Sequence, residues 1–100
     1  MERRLIDLEV TTITIDEAKE RYILTKGVRF ADVLEVMNSN PRFILSYNHG
    51  GNERYAMIGL NTSGRYLLTA IARVVDDEAR RFCMLATQQA RSATLRRWIK

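Results

Sequence analysis

Residues 53–75 run Glu53-Arg-Tyr-Ala-Met-Ile-Gly-Leu60, Asn61-Thr-Ser-Gly64, then Arg65-Tyr-Leu-Leu-Thr-Ala-Ile-Ala-Arg-Val-Val75. Two runs rich in β-formers flank four turn-formers, the pattern of an antiparallel hairpin. It extends both ways. Upstream, Arg42 to Tyr47 reads as a short strand, and Asn48-His-Gly-Gly-Asn52 as a turn whose glycines accept positive φ. Downstream, Asp76-Asp77-Glu78 turns the chain and Arg80 to Thr87 returns. Short connections between successive strands predict a meander.

Helical signals flank it. Asp16 is an N-cap candidate with Glu17 behind it, residues 17–26 read as helix, and Gly27 stands where a left-handed residue closes a helix. Phe30, Val33, Leu34 and Met37 recur at helical spacing, and Asn38-Ser-Asn-Pro41 stops that run. Residues 92–99 form a last helix with Leu95, Trp98 and Ile99 on one edge. At the start, Ile6, Leu8 and Val10 alternate with Asp7 and Glu9. The phase changes at Thr11-Thr12, so one irregular strand or two short ones fit. The class is α+β, helices packed on an antiparallel sheet.

One hundred residues make one domain with one small core. The lone Cys83 forms no internal disulfide, and no Cys/His cluster has zinc spacing. No run suits a signal peptide or a membrane span, so the expectation is a cytoplasmic protein without membrane contact. Charge is uneven. No acid follows Glu78, so the net +4 is a −2 body joined to a +6 end. Such an end attracts phosphates or an acidic protein.

Several chemistries are excluded by residue type. A single histidine and no nucleophile motif leave no Ser/His/Asp arrangement. Gly50-Gly51 reads as a hairpin turn, not a phosphate loop. Adjacent Asp76, Asp77 and Glu78 read as a charged tip, since neighbours on a tight turn rarely converge on one ion. His49 is ordinarily inert when alone, but its chemistry suits proton transfer near neutral pH. The strand arginines have two readings. Arg65 and Arg73 share strand parity and leave one face unless a bulge intervenes. With Arg54 and Arg81 they form either a phosphate-binding set or a cover of aliphatic stems over sheet edges. Tyr47, Tyr55 and Tyr66 are stacking candidates, with core packing as the ordinary alternative.

Lys26-Gly-Val-Arg-Phe30, Glu53-Arg-Tyr-Ala-Met-Ile-Gly59 and Gly64-Arg-Tyr-Leu-Leu68 together resemble the BrnT-type toxins of the RelE-like ribonuclease group. Ile15-Asp-Glu-Ala-Lys19 is similar to the start of that family's first helix, and the likeness spans roughly residues 13–98. The resemblance implies two N-terminal helices and a C-terminal helix on a twisted antiparallel sheet of four to five strands. It implies a toxin that cleaves RNA without metal or other cofactor and slows translation. The RNA 2′-hydroxyl is then the nucleophile. A ribbon-helix-helix antitoxin is the implied partner, in a heterotetramer, with a toxin homodimer as the other assembly.

On that resemblance Arg54 and Arg65 match the Glu-Arg and Gly-Arg positions and centre the site. Lys26 and His49 join them as catalytic candidates for proton transfer. Arg73, Arg81, Gln88 and Arg91 make up the RNA-binding set. Three positions depart from the family: Thr25 precedes Lys26 where Lys-His is usual, Ile71 replaces a common histidine, and Gln88 replaces a basic residue. A catalytically inactive module of the same fold, binding a protein or nucleic acid, is the alternative reading. A small structural domain with merely superficial arginines is a third.

Overall fold

The computed structural model describes residues 3–49, 52–74 and 81–99, with the side chains of 46–49, 52 and 53 left aside. The described strands are β1 (Arg4–Ile6), β2 (Thr12–Thr14), β3 (Arg42–His49), β4 (Asn52–Leu60), β5 (Tyr66–Arg73) and β6 (Arg81–Gln89). The described helices are α1 (Glu17–Leu24), α2 (Phe30–Met37) and α3 (Ser92–Trp98). The expected turns at Gly50-Gly51 and at Asp76-Asp77-Glu78 lie outside the described residues.

The four meander strands pair antiparallel in sequence order, β3-β4-β5-β6. The N-terminus departs from expectation. The sheet is six-stranded and mixed, ordered β1-β3-β4-β5-β6-β2, because β1 joins one edge antiparallel and β2 the other edge parallel to β6. Residues 7–11 therefore carry the chain across a sheet face. Leu8 and Val10 pack against the core from this crossing. Their alternation with Asp7 and Glu9 reads as strand because an extended connection has the same period-2 side-chain pattern.

Local chemistry sets the helix ends. Asp16 Oδ1 accepts the Lys19 N–H at 2.8 Å and starts α1. Gly27, at φ +76°, closes it. The Gly27 N–H donates to Leu24 O at 3.0 Å and the Val28 N–H to Ile23 O at 3.1 Å, a Schellman closure sealed by buried Val28. In α2, Val33 and Val36 are fully buried, with Phe30, Leu34 and Met37 flanking them. Two carboxylates staple α2 to the sheet. Asp32 accepts the Arg29 N–H at 2.9 Å, Arg29 Nη2 at 2.8 Å and Asn61 Nδ2 at 3.4 Å. Glu35 Oε1 accepts the Thr62 N–H and hydroxyl at 3.0 and 2.8 Å.

The two faces of the sheet differ. The first carries the main core, in which Tyr55, Met57, Leu67, Ile71, Phe82 and Met84 meet Ile23, Val33 and Val36 of the first two helices. Gly59 lies under α2, where a Cβ would stand 3.0 Å from Pro41 Cβ and 3.1 Å from Val36 Cγ1. The second face carries a smaller cluster, with Ile44, Ile58, Tyr66 and Leu68 against Leu95, Trp98 and Ile99 of the α3 region. Arg42 Nη1 donates to Trp98 O at 2.6 Å and fastens the end of α3. No described helix is long and apolar enough to cross a membrane.

Candidate nucleic-acid interface

Beyond α3 the second sheet face is floored by small residues. Ala56, Ala70 and Ala86 pair directly across β4, β5 and β6, and Arg54 and Cys83 flank Ala72 in the next row. Three adjacent alanines leave a depression where large side chains would stand. The β5–β6 register shifts between Ala70 and Ile71, leaving Leu85 as an extra β6 residue at the depression's edge. The result is a trough of about 330 Å³ that rounds the β6 edge toward α1. Leu68, Leu85 and Gln88 line it beside the alanines, and Arg3, Lys19, Tyr22 and Lys26 stand at its rim.

Among the described lining residues there is no carboxylate and no histidine. Lys19 approaches Asp16 at 3.7 Å, but both are well exposed, so that pair is weak. A larger hollow of about 830 Å³ lies elsewhere, beside β1 and the crossing segment. It sets Asp7 and Glu9 among Arg42 and Arg73, a mixed charge that disfavours a polyanion.

The predicted site residues divide between the two faces. Arg54 shares the second face with Ala56 and Ile58, two residues or about 7 Å along β4 from the alanine row. Gln88 lies in β6 opposite Leu68 and lines the trough. Lys26 lines it from the end of α1. Arg81 follows the alternation of Cys83 and lies at the end of β6 that pairs with β2. Arg91 is the exposed residue before α3. His49 pairs with Asn52 beyond the Tyr47–Arg54 pair in β3, and its side chain lies outside those described.

Arg65 and Arg73 do not join them. Their shared parity holds, because the β5–β6 bulge belongs to β6, but it aligns them with Leu67, Thr69 and Ile71 on the helix-covered face. Arg73 sets its guanidinium 5.0 Å from the Phe82 ring centroid. Arg65 precedes β5 instead of opening it. Its N–H donates to Asn61 Oδ1 at 2.8 Å and its Nη1 to Gly27 O at 3.1 Å, while Nε is buried without an acceptor.

The expected centre at Arg54 and Arg65 is thus not assembled. Arg54 pairs with Ala72, seven residues or about 23 Å along β5 from Arg65, on the opposite face. Parity along one strand does not say which face the helices will cover.

The stacking candidates sort similarly. Tyr55 is 3% exposed and packs edge-on against Phe82, with centroids 5.9 Å apart. Tyr66 is half-buried in the α3 cluster. The side chain of Tyr47 lies outside those described. Tyr22, Arg3 and Lys19 reach the trough without having been singled out in the sequence. Tyr22 and Lys26 carry a legible signal, an aromatic and a cation at i and i+4 of the run expected as helix over 17–26, although α1 ends at Leu24 and Lys26 lies in the closing turn.

The chain matches no protein-family model and no curated protein.

Proposed function

We propose that this chain is a BrnT-type toxin of RelE-like fold, and that the alanine-floored trough with adjoining Arg54 is its RNA-binding surface. The cations Arg3, Lys19 and Lys26 about a lining with no acid among its described residues are the observation that carries this reading. A phosphate backbone gains from several cations on one side and loses little where no carboxylate opposes it. The floor of alanines lets an extended strand approach the sheet closely.

In the reaction proposed, the RNA 2′-oxygen attacks the adjacent phosphorus and the bond to the 5′-oxygen breaks. A cyclic 2′,3′-phosphate and a 5′-hydroxyl end remain. The 2′-hydroxyl proton leaves to a base and the leaving oxygen gains one. Arg54 stabilises charge developing at phosphorus, Gln88 donates a hydrogen bond to a phosphate oxygen, and Lys26 supplies further positive charge. An antitoxin of ribbon-helix-helix type is the proposed partner in the cytoplasm, covering the same cations with acidic residues.

Purified protein incubated with messenger RNA is expected to yield fragments ending in cyclic phosphate, and induction in cells is expected to stop growth. Absence of both at high protein level removes the ribonuclease reading. The separation of Arg54 from Arg65 and the neutral Gln88 favour a second reading, a module that binds RNA without cutting it. Salt-dependent RNA binding with intact RNA after prolonged incubation distinguishes that case.

A further inference from the structure

Two large apolar residues of α1 are exposed, Tyr22 at 60% and Leu24 at 55%, and of these Tyr22 sits at the rim of the trough. The Lys26 ammonium stands 5.0 Å from its ring centroid and charges one side of the ring. We infer that Tyr22 and Lys26 form a base-stacking clamp, and that the trough's ligand is single-stranded rather than duplex RNA. The inference rests on the RNA reading above and narrows it.

The chemistry runs from the lining inward. Arg3, Lys19 and Lys26 bring positive charge to the rim with no acid among the described lining residues, which complements a phosphodiester backbone. The floor crosses three strands, about 10 Å, enough for one row of nucleotides. An exposed phenol ring offers a π-face to a base, and such stacking tolerates any base. Bases in a duplex are already stacked on each other and present only their edges. Tyr22 therefore selects for unpaired nucleotides. Lys26, in the turn that closes α1, meets the phosphate of the stacked nucleotide. An acidic protein would satisfy the cations equally, but it has no need of the ring.

The test uses the full chain and fluorescein-labelled RNA of ten nucleotides, either unstructured or annealed to its complement, read by anisotropy. Wild type is expected to bind the single strand at least tenfold tighter than the duplex. Tyr22→Ala is expected to lose about tenfold on the single strand and little on the duplex, while Tyr22→Trp holds within about twofold. Lys26→Ala lowers the slope of log affinity against log salt by about one. Circular dichroism checks that the variants are folded, as an exposed position predicts.

Equal binding by Tyr22→Ala and wild type, with Arg54→Ala weakened, overturns the clamp and leaves the RNA surface standing. Equal affinity for duplex and single strand overturns it as well. No RNA binding by the wild-type protein removes both the surface and the clamp.

Discussion

Arg65 donates from Nη1 to the backbone oxygen of Gly27 at 3.1 Å, tying the β4–β5 turn to the corner between α1 and α2. Gly27 holds a positive φ of 76° to make that corner, and its carbonyl is turned to the arginine. The two residues stand 38 apart in sequence. The bond joins the helical layer to the sheet one residue from Lys26 of the trough's rim, and Arg65 itself does not line the trough, so Arg65 belongs to the fold's architecture.

Replacing Arg65 by Ala is accordingly expected to reduce stability by about 1.5 kcal/mol, the range for a hydrogen bond from a charged group. RNA affinity at the trough changes little while the chain stays folded. Urea unfolding beside an RNA titration separates the two effects. A folded Arg65→Ala protein with unchanged stability and abolished RNA binding contradicts the architectural role.

Arg54→Ala has the opposite profile. Its side chain shares a face with the alanine row, so its loss is expected to leave the urea midpoint nearly unchanged. RNA binding weakens several-fold, and the salt slope falls by about one, the value for one lost phosphate contact. An unchanged slope places Arg54 outside the interface.

Gly59→Ala tests the packing of α2 on β4. The added methyl carbon meets Pro41 at 3.0 Å and Val36 at 3.1 Å, and one of these is fixed in the proline ring. A loss of about 1–3 kcal/mol is expected from overpacking. Thermal or urea denaturation gives the number, and a neutral result means that α2 shifts freely.

The acid limb of stability carries the signature of Asp32. Hydrogen bonding to the Arg29 side chain is the largest cause holding its carboxyl below the ordinary aspartate value, with burial opposing. The sign follows from linkage. A pKa lowered on folding contributes stability that is complete above the unfolded value, near pH 4, and is lost as pH falls through the folded value. Asp32→Asn is expected to cost about 2 kcal/mol at neutral pH and to flatten the decline below about pH 4. Urea midpoints measured from pH 2 to 7 check both.

Trp98→Ala is expected to release α3. Seven residues do not hold a helix in water unaided, and Leu95, Trp98 and Ile99 with the Arg42–Trp98 hydrogen bond anchor this one. Amide exchange should rise across residues 92–98 and leave β4 and β5 protected. Retained protection of α3 shows that Leu95 and Ile99 suffice.

Much of the fold is legible because its signals are local. The Asp16 cap, the Gly27 closure, the apolar stripe of α2 and the alternation in β4 and β5 each depend on residues within one turn or one hairpin. Neighbouring backbone and side-chain atoms settle such features. The region before Asp16 is not legible in this way, since extended crossing and paired strand share one pattern. Arg4–Ile6 and Thr12–Thr14 find partners only after the meander exists.

The candidate site divides along the same line. Sequence alone determines which residues are cations, that the last twenty-two carry no acid, and that Arg65 and Arg73 leave β5 on one side. Tertiary structure decides which side the helices cover. Burying Val33, Val36 and Ile23 requires a large apolar face, and Leu67, Thr69, Ile71, Met57 and Phe82 provide it. That choice draws Arg65 and Arg73 to the covered side. It leaves the alanine row, Arg54 and Gln88 on the other, where α3 is the one described helix that packs, and brings Tyr22 and Lys26 to the trough's rim.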